Sequence, residues 1–112
     1  MLKLLSLQGL RKSLEIEYPV KLLVEEKGNS IYLDLIFIDE EKRLRGYGTQ
    51  VMEKILDYAD RYRMRIYLTP SSDYGSNLRR LKKFYKRFNF KRARSRLFSM
   101  IREPVDFGNY YN

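Results

Sequence analysis

The 112-residue sequence predicts a mixed α/β domain built around one central sheet. Three observations carry this. Residues 49–62 and 78–88 place apolar side chains at helical spacing. Residues 20–24, 31–38 and 64–69 are short runs rich in β-branched, aromatic or aliphatic residues, bounded by Pro, Gly and Asn signals. The two kinds of segment alternate along the chain, the pattern of strands and helices sharing one core. The length suits a single domain, with 1–19 as an N-terminal helix, 20–102 as the core and 103–112 as a tail.

Leu4, Leu7, Leu10 and Leu14 recur at three- and four-residue spacing, so the chain begins with an amphipathic helix, loosened at Gly9. Tyr18-Pro19 ends it, because Pro19 has no N–H to continue the ladder. A strand over 20–24 leads through a hairpin turn at Lys27-Gly28-Asn29-Ser30 to a second strand over 31–38. Strict alternation puts Ile31, Leu33, Leu35 and Phe37 on one face, and Tyr32, Asp34, Ile36 and Ile38 on the other. Both faces are mainly apolar, which predicts a central strand covered on both sides, with Asp34 isolated among hydrophobic residues. After the helix over 49–62 comes a strand stopped by Pro70, then a turn-rich loop with capping residues near Asn77. Leu78, Leu81, Phe84 and Phe88 mark another helix. Asn89 stands where a left-handed residue often closes one, and a last strand is expected over 97–101.

Composition removes several chemistries. There is no Cys, hence no disulfide, thiolate metal site or cysteine nucleophile, and no His, hence neither the usual zinc ligand nor a Ser–His pair. No metal is expected. No run approaches the length needed to cross a bilayer, and the apolar start is broken too early for a secretory signal, so a cytoplasmic address is expected. The formal charge is +9, divided as −3 over residues 1–41 and +12 over residues 42–112. That asymmetry implies an anionic partner for the C-terminal part.

The segment Arg43-Leu44-Arg45-Gly46-Tyr47-Gly48-Thr49 follows a strand and opens a helix. Helix starts offer unpaired N–H groups and a partial positive charge, and glycine lets backbone approach a phosphate closely. Arg43, Arg45 and the Thr49 hydroxyl can add polar contacts. The nucleotide P-loop signature is absent, and Val51 stands where a dinucleotide fingerprint needs its third glycine. From Ile36-Phe37-Ile38 through Thr49, the sequence resembles motif A of the GNAT superfamily of acetyl-CoA-dependent N-acyltransferases, its histone-acetyltransferase branch especially. The run Leu81-Lys82-Lys83-Phe84-Tyr85-Lys86-Arg87-Phe88-Asn89-Phe90 resembles that superfamily's motif B, with Asn89 in place of a glycine.

The resemblance, spanning about 20–102, implies a GNAT-like fold of mixed sheet flanked by helices, with splayed central strands, in a small member of the family. It implies an N-acetyltransferase that moves an acetyl group directly from acetyl-CoA to an amine. Backbone N–H groups from Arg43 through Leu44, Arg45, Gly46, Tyr47, Gly48 and Thr49 would hold the pyrophosphate. Ile36, Phe37 and Ile38 would line the thioester and pantetheine arm, and Tyr85 would act as general acid toward the departing thiolate. The family's helix-start asparagine falls on Leu78, one residue past Asn77, which joins the cofactor-binding candidates. For the general base, Asp34 is the candidate, with Glu40, Glu41 or a water chain as alternatives; burial among apolar residues would raise Asp34 toward neutrality. Ten cations between Arg79 and Arg96 read as a solvated face that can also meet the cofactor's 3′-phosphate, an acidic protein or nucleic acid. The alternative reading is a non-catalytic GNAT-fold module docking through that basic helix. The family's N-terminal strand and helix pair correspond here to one helix, so a partner or second subunit, as in a homodimer, would complete the acceptor wall.

Overall fold

Residues 6–43, 45–71 and 77–105 of a computed structural model are described here; Leu4, Leu44, the loop 72–76 and the tail past 105 lie outside them. The elements are α1 (Leu7–Glu17), β1 (Val20–Lys27), β2 (Ser30–Ile38), a 3-10 turn (Glu40–Lys42), α2 (Tyr47–Arg61), β3 (Arg65–Leu68), α3 (Leu78–Lys86), β4 (Lys91–Arg92) and β5 (Met100–Arg102). The strands form one mixed sheet in the order β1-β2-β3-β5-β4, with β2 and β3 parallel and the other pairs antiparallel.

Helix α1 starts at Ser6, whose hydroxyl accepts from the Gly9 N–H at 3.0 Å. That bond uses Gly9 as part of the cap, so the helix runs through it without the expected loosening. Leu7, Leu10 and Leu14 are buried, and Tyr18 is already extended ahead of Pro19. Glu15 reaches the sheet: its carboxylate accepts from the Leu22 N–H at 2.9 Å and from Arg11 at 2.6 Å. The hairpin turn holds Gly28 at φ 59°, where a side chain would be strained.

Two expectations about β2 are corrected. Pairing with β1 shifts register between Leu23 and Val24: Leu23 faces Leu35, but Val24 faces Leu33, and Asp34 has no partner across the ladder. Asp34 is therefore the extra residue of a β-bulge. The bulge breaks the alternation, so Ile31 and Leu33 share the core face with Ile36 and Ile38 instead of with Leu35 and Phe37. Asp34 itself is exposed, not buried among apolar neighbours. Helices also cover the strand on one side only. The core is a single cluster of α1, α2 and α3 residues against Val20, Leu22, Val24, Ile31, Leu33, Ile66, Leu68 and Met100. Leu35 and Phe37, on the other face, are half-buried.

The strand expected over 97–101 begins at Met100, and Leu97 is 81% exposed. Two-residue β4, exposed throughout, pairs with β5 and is too short to show any alternation. Buried with the core is an ion pair that joins α2 to β5. Arg102 donates to both Asp60 oxygens at 2.8 and 3.0 Å and to the Phe88 carbonyl at 3.1 Å. The Val105 N–H donates to the same carboxylate at 2.9 Å.

Candidate functional site

The site grows from the strand that outruns its neighbour. β2 pairs with β3 only from Ser30–Arg65 to Leu33–Leu68, and β3 then leaves at Thr69-Pro70 while β2 continues to Ile38. Among the described residues a gap opens beside the last part of β2. The direction of the backbone there follows from three contacts. The Leu22 N–H goes to Glu15 and the Val20 N–H to the Tyr18 carbonyl, so neither donates to its β2 partner. Leu22–Ile36 and Val20–Ile38 are therefore the non-hydrogen-bonded pairs of the antiparallel ladder. In such pairs both backbones point outward, so the N–H groups of Ile36 and Ile38 are directed at the gap. The Ile38 carbonyl, facing the same way, accepts from Arg43 Nε at 2.8 Å.

That bond shapes the turn into α2. Arg43 lies over the Phe37 ring at 5.6 Å, and the Lys42 N–H closes on the Asp39 carbonyl at 2.8 Å. The chain then reaches Gly46 at φ 83°, ψ 3°, the N-cap of α2. No side chain caps this helix, so its first N–H groups remain available to an anion, with the helix dipole behind them. Among the described residues, a Cβ on Gly46 would meet only the Gln50 side chain, at 3.9 Å, which leaves room for phosphate oxygens beside the turn. The donor set fits a pyrophosphate. Arg45 is exposed beside it, and Tyr47 and Thr49 are half-buried in the first turn.

The two glycines differ. A Cβ on Gly48 would point inward, to 3.5 Å from Phe84 and 3.7 Å from Ile38, both ordinary contacts. Gly48→Ala should therefore fold normally and gain roughly 0.5 kcal/mol from better helix propensity, whereas Gly46→Ala should lose about 1–2 kcal/mol to left-handed strain. Urea unfolding of the two variants checks this; equal effects would show that the turn is not held by Gly46.

Phe84 links α3 to the site, since its ring lies against Gly48 in the first turn of α2. Asn77 caps α3 by accepting from the Arg80 N–H at 3.0 Å, and Asn89 closes its far end at φ 69°, the left-handed conformation expected there. Arg79, Arg80, Lys82, Lys83, Lys86 and Arg87 of this stretch are exposed. Tyr85 follows Phe84 and is the one buried residue of α3. Its ring meets Phe84 and Phe90 edge-on at 5.3 and 5.6 Å. Burial pushes its phenol up to about 12. The group is thus protonated at every physiological pH. Unfolding releases it to ionise near 10, so its burial costs nothing below pH 10. Above pH 10 the unfolded state loses its proton first and stability falls, by an amount approaching about 3 kcal/mol above pH 12. Tyr85→Phe should flatten that alkaline limb in unfolding curves taken across pH 9–12; an unchanged slope would place the phenol in water.

Asp34 lies at the bulge, next to the point where β2 and β3 part. Sequence alternation misplaced it, and a register irregularity leaves no mark in a strand whose two faces are both apolar. Among the described residues no cluster of three or more His, Asp or Glu could hold a metal, and no helix is long and apolar enough to cross a membrane.

The α/β domain thus sets the strand gap beside an uncapped, glycine-led helix start. The model of the acetyltransferase (GNAT) family matches residues 13–90, well over half of the chain, and the chain belongs to that family. No curated protein matches significantly. Among solved structures, Ard1 from Thermoplasma volcanium superposes with a TM-score of 0.55 at 17% identity, covering 90% of this chain and 82% of that one, a likeness of fold.

Proposed function

We propose that this acetyltransferase takes acetyl-CoA at the glycine turn and passes the acetyl group directly to an amine. The observation that supports this most is the strand gap. Two outward backbone N–H groups, at Ile36 and Ile38, stand one short turn ahead of the uncapped start of α2.

Acetyl-CoA, as substrate, brings a thioester whose carbonyl carbon the amine nitrogen attacks; a C–N bond forms, the C–S bond breaks, and CoA leaves as its thiol. The backbone from Arg43 to Thr49, with Arg45 and the Thr49 hydroxyl, holds the pyrophosphate, and Asn77 positions α3 against it. The Ile36 N–H donates to the thioester oxygen and steadies the negative charge that develops there, an effect of about 3 kcal/mol in comparable sites. The Ile38 N–H holds the pantetheine arm alongside β2, with Phe37 packed under Arg43 behind it. From the helix side, Tyr85 gives a proton to the departing sulfur. From the open side, Asp34 at the bulge draws in the cationic acceptor and takes the proton it releases. Donor and acceptor so enter from opposite faces of the sheet.

Release of CoA thiol, followed with a thiol-reactive dye, tests this directly, because a protein without cysteine adds no background. Release should depend on an added amine. No release with any of a panel of peptide and small-molecule amines would remove the catalytic reading.

A further inference from the structure

The sheet face opposite the helices carries a feature that acetyl transfer does not use. Tyr32 and Tyr67 are directly paired across β2 and β3, and their rings stack at 5.6 Å and 13°. Phe98, from the β4–β5 connection, lies 5.1 Å from Tyr32 and 5.5 Å from Tyr67, tilted 38° to both. All three rings are half-buried. They line a groove of about 510 Å³ together with Ser30, Arg94 and Ile101. A second groove of about 660 Å³, lined by Arg92, Ala93, Arg94, Ser95 and Arg96, shares Ala93, Arg94 and Ser95 with the first, so the two form one trough. Arg92, Arg94 and Arg96 are exposed, and none is paired with a carboxylate among the described residues.

We propose that this trough binds single-stranded nucleic acid, an unstacked base lying in the aromatic groove and the flanking phosphates meeting the three arginines. The chemistry selects this occupant. Aromatic rings beside a run of cations match a ligand that is planar and apolar in one part and anionic in the next, which a nucleotide strand supplies at every residue. A duplex would satisfy the arginines but keeps its bases stacked inside. An acidic peptide offers charge without flat rings. A second copy of this chain would set three arginines against three, on a protein that already carries +9.

Fluorescence anisotropy with labelled 12-nucleotide RNA and DNA single strands, and a duplex of equal length, tests the proposal on the whole chain. Single strands should bind more tightly than the duplex, the RNA and DNA arms showing which sugar is preferred. Phe98→Leu should weaken single strands roughly 5- to 100-fold and leave duplex binding unchanged. Replacing Arg92, Arg94 and Arg96 with Gln should make the slope of log affinity against log salt shallower by about 2. If Phe98→Leu disturbs the circular dichroism spectrum, the arginine variant, whose three altered residues are all exposed, decides by that slope alone. Equal affinity for duplex and single strand, an unaltered salt slope, or competition by polyglutamate as effective as by unlabelled strand would overturn it.

Discussion

Replacing Arg102 with methionine should cost about 3–5 kcal/mol of folding stability. The substitution leaves the Asp60 carboxylate buried without the guanidinium that holds both its oxygens at 2.8 and 3.0 Å. It also takes from the Phe88 carbonyl, at the end of α3, its bond to Arg102 Nε. Domains of this size are stable by about 5–15 kcal/mol, so the loss is a large share of the total. Removing both charges together should be far less damaging: Asp60→Leu with Arg102→Met leaves no orphan ion and should recover most of the stability. Urea midpoints of the two variants check the claim. A loss under about 1 kcal/mol for Arg102→Met would mean that water reaches the pair.

Tyr85→Phe should slow acetyl transfer about 10²- to 10⁴-fold, the range for a positioned acid, while leaving acetyl-CoA binding intact. The change removes one oxygen and keeps the ring that packs against Phe84 and Phe90, so fold and cofactor cradle are preserved. A phenol held near 12 stays protonated through the whole working range, so wild-type activity should show no limb that belongs to Tyr85 below pH 10. Thiol-release kinetics over a series of acetyl-CoA concentrations separate the two parameters. A raised KM with unchanged kcat would make Tyr85 a packing residue near the cofactor and remove it from proton transfer.

Local features were readable in the sequence because local forces set them. The glycine turn, the Pro19 stop, the Asn77 cap and the left-handed Asn89 each follow from one residue's backbone or hydrogen-bonding preference. The outward direction of the Ile36 and Ile38 amides was not legible, since it depends on where Glu15, seven residues before Leu22, sends its carboxylate. The bulge at Asp34 was hidden for a related reason. With Leu35 and Phe37 as apolar as Ile36 and Ile38, a one-residue slip leaves the hydrophobic pattern unchanged. Asp60 reads as a polar position of an amphipathic helix, and only its partner, 42 residues later, explains its burial. Strand β4 carries two exposed residues and therefore no periodicity. The Tyr32–Tyr67–Phe98 cluster is assembled by strand pairing and a loop, from positions scattered over the chain.

The central claim, that the Gly46 turn holds acetyl-CoA, is tested most directly by calorimetric titration of acetyl-CoA into the wild-type chain and Gly46→Glu. The variant forces a side chain into a conformation with φ 83° and sets a carboxylate at the helix start proposed for the pyrophosphate. Saturable binding by the wild type and none by Gly46→Glu is the predicted result. Absence of binding by the wild type up to millimolar acetyl-CoA, or undiminished binding by the variant, would contradict it.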